Sequence, residues 1–178
     1  MRTTFIVSLS LCLLVMTAIT ANAETLPPGV MRIGGTPAPA LQLDNLDGEA
    51  YDLQASQGHW RFVHFWASWC GPCRKEMPSI ERMVTALGNS PLEIVLVNTA
   101  ETEDEVFTFL GIVAPDLLPL MDTDGQVTEV WQPRGLPATY LVDPSGHIQY
   151  QALGGREWEK PVYLEFLRRL SIPRPQSD

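Results

Sequence analysis

Between residues 62 and 97 the hydrophobic pattern changes period twice, and this run constrains the fold more than any other part of the chain. Phe62-Val63-His64-Phe65-Trp66 is almost unbroken apolar sequence, and residues 92–97 (LEIVLV) repeat the pattern. Runs of this kind suit strands covered on both faces. Between them, Met77, Ile80, Val84 and Leu87 recur at spacings of three and four, which predicts a helix over 72–87 with one buried face. Pro78 removes one hydrogen bond inside that helix and bends it, and Gly88-Asn89 ends it. Strand, helix, strand is a βαβ unit, so the two strands are expected to be parallel neighbours joined by a right-handed crossover.

The rest of the chain adds to this unit. Residues 41–43 and 50–53 flank Asp44-Asn45-Leu46-Asp47-Gly48 and predict a short hairpin. Residues 138–142 and 147–153 are strands around the turn Asp143-Pro144-Ser145-Gly146. Helices are expected over 103–110, 126–131 and 159–170, with a short strand over 118–121. One α/β domain, residues 37–172, accounts for this pattern. Residues 24–36, rich in Pro and Gly, are expected to be an extended leader without strand periodicity, and residues 173–178 a mobile tail.

Residues 1–23 combine Arg2, an apolar run and Ala21-Asn22-Ala23, the layout of a secretory signal peptide with a small-x-small cleavage site. The apolar run, about 15 residues, is short of the roughly 20 that a membrane span needs. Cleavage is the expectation, with retention as a membrane anchor the alternative; only a retained segment tethers the protein to a membrane. Cys12 lies inside the apolar run, not at the cleavage site where a lipidated cysteine sits. Export predicts a periplasmic protein in an oxidising compartment. A net charge of −9 without a basic patch excludes nucleic acid as a partner.

Trp69-Cys70-Gly71-Pro72-Cys73 stands where the first strand gives way to the helix. Two cysteines two residues apart in this context point to redox chemistry. Cys70 falls at the helix N-terminus, where free N–H groups and the helix dipole favour thiolate over thiol and lower its pKa below about 8.5. Cys73, one turn further, can reach Cys70 to close a disulfide, and Pro72 suits a first-turn position. The predicted cycle is attack by Cys70 on a substrate disulfide and resolution by Cys73. Zinc and an inert structural disulfide are the competing readings. A structural zinc site takes four ligands, and none of His59, His64 and His147 has finger spacing to the pair. No metal or cofactor is expected.

Residues 65–74, FWASWCGPCR, resemble the active-site segment of the thioredoxin superfamily, and Gly135-Leu136-Pro137-Ala138-Thr139 resembles its cis-proline loop. The signal segment and Cys73-Arg74-Lys75-Glu76-Met77-Pro78 resemble the TlpA/ResA-like branch of exported thiol–disulfide oxidoreductases. The resemblance spans about residues 37–170. It implies a mixed central β-sheet flanked by helices, an N-terminal β-hairpin, and an insertion over 99–131 before the cis-proline half. An X–Pro bond is trans by default; the resemblance makes Leu136–Pro137 cis. It implies that Leu136 and Pro137 keep loop backbone available to an extended substrate and that Pro137 blocks metal capture. It also implies a partly buried Glu76 that exchanges a proton with Cys73 during resolution.

Trp69, Gly71 and Pro72 are expected to form the rim that touches a client. His64 is expected to be a satisfied core histidine, residues 101–105 an acidic helix start, and Asp122-Thr123-Asp124-Gly125 a turn. Gly-Pro between the cysteines resembles reducing thioredoxins, which implies client proteins with disulfides or cysteines and a membrane electron donor for re-reduction. Clients in related proteins include apocytochrome c and copper-site assembly factors. The cytochrome-maturation subgroup carries Gly-Val-Tyr-Gly-x-Pro-Glu at the cis-proline; Gln132-Pro133-Arg134-Gly135-Leu136-Pro137-Ala138 departs from it. The rivals are a copper(I)-binding assembly module and a peroxiredoxin-like peroxidase. The peroxidase context Pro-x-x-x-Thr-x-x-Cys is absent before Cys70.

Overall fold

In the computed structural model, which describes residues 25–171, the chain opens with β1 (Val30–Pro37), β2 (Gln42–Asp44) and β3 (Ala50–Asp52). The βαβ unit follows as β4 (Arg61–Trp66), α1 (Gly71–Leu87) and β5 (Glu93–Thr99). Then come α2 (Glu103–Val113), β6 (Leu120–Asp122) and α3 (Gln126–Trp131), and last β7 (Ala138–Val142), β8 (His147–Leu153) and α4 (Pro161–Ser171). The expected signal segment (1–23) and tail (173–178) lie outside the described residues. Among the described residues, no helix is long and apolar enough to cross a membrane.

β4 is buried at every position, and it takes the interior place that such a strand requires. The sheet runs β1-β8-β7-β4-β5-β6, with β4 parallel to β5 and antiparallel to β7. Alternation along β4 divides the core. Phe62 and Trp66 pack with Met77, Ile80 and Phe166 under α1 and α4. Val63 and Phe65 pack on the other face with Leu41, Leu53 and Trp131. This is the mixed sheet flanked by helices that the resemblance to the thioredoxin superfamily implies. The hairpin β2–β3 forms its own two-stranded sheet, and α2, β6 and α3 fill the expected insertion.

The segment expected to be a leader without strand periodicity is extended, but from Val30 onward it is also a paired strand. β1 runs antiparallel to β8 at the sheet edge. Its register slips between Arg32 and Thr36, where Gly34 and Gly35 hold φ of 90° and 80°. Glycine adopts such angles without a Cβ penalty, so the pair forms a bulge. The bulge breaks the period-two pattern that would otherwise betray the strand.

α1 runs on through Pro78 to a cap at Gly88, whose N–H donates to the Val84 carbonyl at 3.1 Å. Its buried face holds Cys73, Glu76, Met77, Ile80, Met83 and Leu87. Two of its side chains, one charged and one a hydroxyl, join it to the segment before α4: Arg82 Nη2 lies 2.6 Å from Glu159 Oε1, and Ser79 Oγ donates to Glu159 Oε2. Glu159 itself precedes α4 and does not belong to it, because the helix starts at Pro161, where the missing N–H costs nothing.

Candidate active site

β4 delivers the chain to the site and α1 carries it away. Cys70 caps α1: its backbone is extended (φ −80°, ψ 111°) and its Sγ accepts from the Cys73 N–H at 3.3 Å. The structure joins Cys70 to Cys73 in a disulfide, with 5.2 Å between the Cα atoms. Cys73 is fully buried and Cys70 is 7% exposed, so Cys70 is the more accessible of the pair. Once the bond is reduced, the Cys73 N–H and the helix dipole favour a thiolate at Cys70. Gly71 and Pro72 lie exposed in the first turn, and Trp69 stands 65% exposed beside them.

The second wall comes from β7. The register pairs Phe65 with Ala138, which brings Pro137 level with Trp66 at the end of β4. The Leu136–Pro137 bond is cis. The Pro137 carbonyl accepts from the Gly154 N–H at 2.9 Å, tying this loop to the one after β8. That second loop closes on the cysteines as well. A Cβ added at Gly155 would stand 3.1 Å from the Pro72 carbonyl oxygen, so the close approach favours glycine there. A pocket of about 500 Å³ opens between Pro72, Lys75 and Arg156, with Glu76 in its lining.

Glu76 lies one helical turn beyond Cys73 and is 2% exposed. Its Oε1 accepts from the Arg156 backbone N–H at 3.1 Å. Burial pushes its carboxyl up to about 7, against the Arg156 N–H, the Trp158 indole and the Arg156 guanidinium, which favour the carboxylate. The indole lies outside hydrogen-bond geometry. A carboxyl poised near neutrality can both take and give a proton. Its Oε2 has no hydrogen-bond partner and lies 3.8 Å from His64 Nε2. His64, expected to be satisfied, is only half so: Nδ1 bonds Thr139 Oγ1 at 2.9 Å, while Nε2 has no partner.

Two features escaped the sequence. Glu101 does not start α2, which Thr102 caps. It turns inward, 5% exposed, and accepts from the Ser68 N–H at 2.6 Å, the Ser68 hydroxyl and Asn98 Nδ2 at 2.7 Å. It therefore fixes the loop that leads into Cys70. Nothing in its neighbourhood of Glu103, Asp104 and Glu105 distinguishes it; only its place just past β5 does. The Gly155-Arg156 loop is likewise distant in sequence from everything it touches. Asp122, by contrast, behaves as the expected turn suggests, accepting from the Val127 and Thr128 N–H groups at 3.1 and 2.7 Å.

Residues 34–151 match the AhpC/TSA family. Over 114 residues the chain is 32% identical to the thiol-disulfide oxidoreductase ResA of Bacillus subtilis, and the match spans 64% of this chain and 64% of ResA. Over 125 residues it is 34% identical to the thiol:disulfide interchange protein HelX of Rhodobacter capsulatus, spanning 68% of this chain and 69% of HelX. The solved thioredoxin domain of a thiol-disulfide oxidoreductase from Bacteroides vulgatus superposes with a TM-score of 0.64 at 26% identity, over 76% of this chain and 96% of that one.

Proposed function

The chain belongs to the AhpC/TSA family and to its thioredoxin-like thiol–disulfide oxidoreductases, and from that premise we propose that it reduces disulfides of client proteins in the periplasm. The observation that carries the proposal is the capping position of Cys70, with the Cys73 N–H on its sulfur and Cys73 buried behind it. The Cys70 thiolate attacks a client disulfide; a bond forms to one client sulfur and the other leaves as a thiolate. Cys73 gives its proton to the Glu76 carboxylate and attacks Cys70 Sγ. The second client sulfur then leaves, and Cys70–Cys73 carries the two-electron oxidation. The oxidised pair returns to the dithiol by exchange with a membrane electron donor.

Trp69, Gly71, Pro72 and Leu136 form the surface on which an extended client segment lies, and Pro137 closes the dithiol against metal capture. Clients are cysteine pairs such as those of apocytochrome c or of copper-site assembly factors. The departure from Gly-Val-Tyr-Gly-x-Pro-Glu at Gln132–Ala138 weighs against the first of these. The test is reduction of insulin by the protein with dithiothreitol as donor, set beside copper(I) titration and peroxide consumption of the reduced protein. Accelerated insulin precipitation that Cys70→Ser abolishes is expected. Copper binding or peroxide turnover without disulfide exchange would overturn the proposal.

A further inference from the structure

We propose that His64 is the positioning residue for Glu76: anchored at Nδ1 by Thr139, it presents Nε2 to the Glu76 carboxyl and fixes where the proton released by Cys73 is held. The inference rests on the proposed role of Glu76 as proton acceptor and adds a residue to it.

The placement begins with the sheet. His64 and Thr139 are direct cross-strand partners of β4 and β7, so their side chains leave the sheet on one face. It is the face of Phe62 and Trp66, which pack in one cluster with Cys73 and Met77 of α1. His64 therefore points from the strand before the cysteines toward the helix after them. Phe62 stacks beside it, with ring centroids 5.9 Å apart. In such apolar surroundings a buried polar atom is costly unless another answers it. His64 Nε2 and Glu76 Oε2, like the Trp66 and Trp158 Nε1 atoms on the same side of the core, have no hydrogen-bond partner, and the first two face each other at 3.8 Å with the side chains 0% and 1% exposed.

The groups around the carboxyl come from three directions. α1 brings Cys73, with Lys75 in the lining of the same pocket. β4 brings His64. The loop after β8 brings the Arg156 N–H and guanidinium, with Glu157 also in the pocket lining. Burial, together with the Arg156 charge, pushes His64 down to about 3, so the ring is neutral at working pH. It thus acts as an oriented dipole and not as an ion-pair partner. In the resolving step the Cys73 proton moves to the Glu76 carboxylate, the Cys70–Cys73 bond forms, and the client thiolate leaves with the electron pair of its broken bond. His64 gains and loses no net proton; it holds the receiving oxygen.

The experiment follows the reaction of the reduced protein with an aromatic disulfide that releases a coloured thiolate. The fast phase reports attack by Cys70, and the second, slower release reports resolution by Cys73. Its rate is measured from pH 5 to 9 in wild type, His64→Leu, His64→Gln, His64→Asn, Glu76→Gln and the double variant His64→Leu/Glu76→Gln. A Gln amide reaches the place of Nε2, whereas an Asn amide reaches only that of Nδ1. His64→Leu and His64→Asn are expected to slow the second phase at least fivefold at pH 7 and to move its pH midpoint. His64→Gln is expected to stay within twofold of wild type, and the double variant to match Glu76→Gln. Wild-type midpoints and rates in His64→Leu, or an additive double variant, would overturn the role of His64 while leaving Glu76 in place. An unchanged profile in Glu76→Gln would overturn the role of Glu76 and this inference with it. Should His64→Leu fail to fold, the Gln and Asn variants decide, and equal profiles for the two would be fatal.

Discussion

Replacing Glu76 by Gln keeps the shape of a buried side chain and removes its ability to ionise, which makes the cost of burying the carboxylate measurable. The ordinary value for this carboxyl is 4.5, and in the folded protein burial brings it to about 7. At about 1.4 kcal/mol per pH unit, the difference corresponds to about 3 kcal/mol between the two ends of the interval. The sign follows from proton counts. Between pH 4.5 and 7 the folded state keeps the proton that the unfolded state has lost, so stability falls as pH rises. Below that window both states are protonated, and above it both are ionised. Urea unfolding of the oxidised protein at half-unit steps from pH 4 to 8.5 reads the effect directly. The stability of wild type relative to Glu76→Gln is expected to fall by about 3 kcal/mol across the window and to level off above it. Parallel curves for the two proteins would refute the burial argument, and with it the reason for expecting Glu76 to exchange protons near neutrality.

Three further substitutions probe the surroundings of the cysteines. Glu101→Ala leaves the Ser68 and Asn98 donors without their acceptor and is expected to cost about 2–4 kcal/mol in urea unfolding, with slower insulin reduction; a loss below about 0.5 kcal/mol would contradict its anchoring of the loop. Trp69→Ala removes an exposed ring and is expected to change stability by no more than about 0.5 kcal/mol. It should slow reduction of a protein client several-fold while sparing a small aromatic disulfide, and equal effects on both would remove Trp69 from the client surface. Gly155→Val forces a branched side chain against the Pro72 carbonyl and is expected to destabilise by about 1–2 kcal/mol, read as a lower urea midpoint; an unchanged midpoint would show that the loop does not press on the cysteines.

The central strands, α1 and the cysteine pair were legible because their signals are local. An apolar run, a three-and-four spacing and a C-x-x-C at their junction lie within 40 or so residues, and the period of the pattern states the element. β7 and β8 were legible for the same reason, with Asp143-Pro144-Ser145-Gly146 marking the turn. What was hidden depends on partners far along the chain. β1 is a strand through its pairing with β8, and its own glycines obscure it. Glu101 sits among carboxylates that look alike in sequence, and only the path of the loop before Cys70 turns it inward. His64 looked like a histidine absorbed by the core. Its open nitrogen becomes visible only when α1 places Glu76 opposite, an arrangement set by the crossover and not by any spacing.

Disulfide exchange is proposed to begin at Cys70, and Cys73→Ser isolates that step by removing the group that would release the captured partner. Expressed in cells and quenched with acid, this variant is expected to accumulate Cys70-linked adducts that migrate with added mass on a non-reducing gel and collapse with reductant, while Cys70→Ser forms none. Absence of adducts on Cys73→Ser, or their equal appearance on Cys70→Ser, would contradict the assignment.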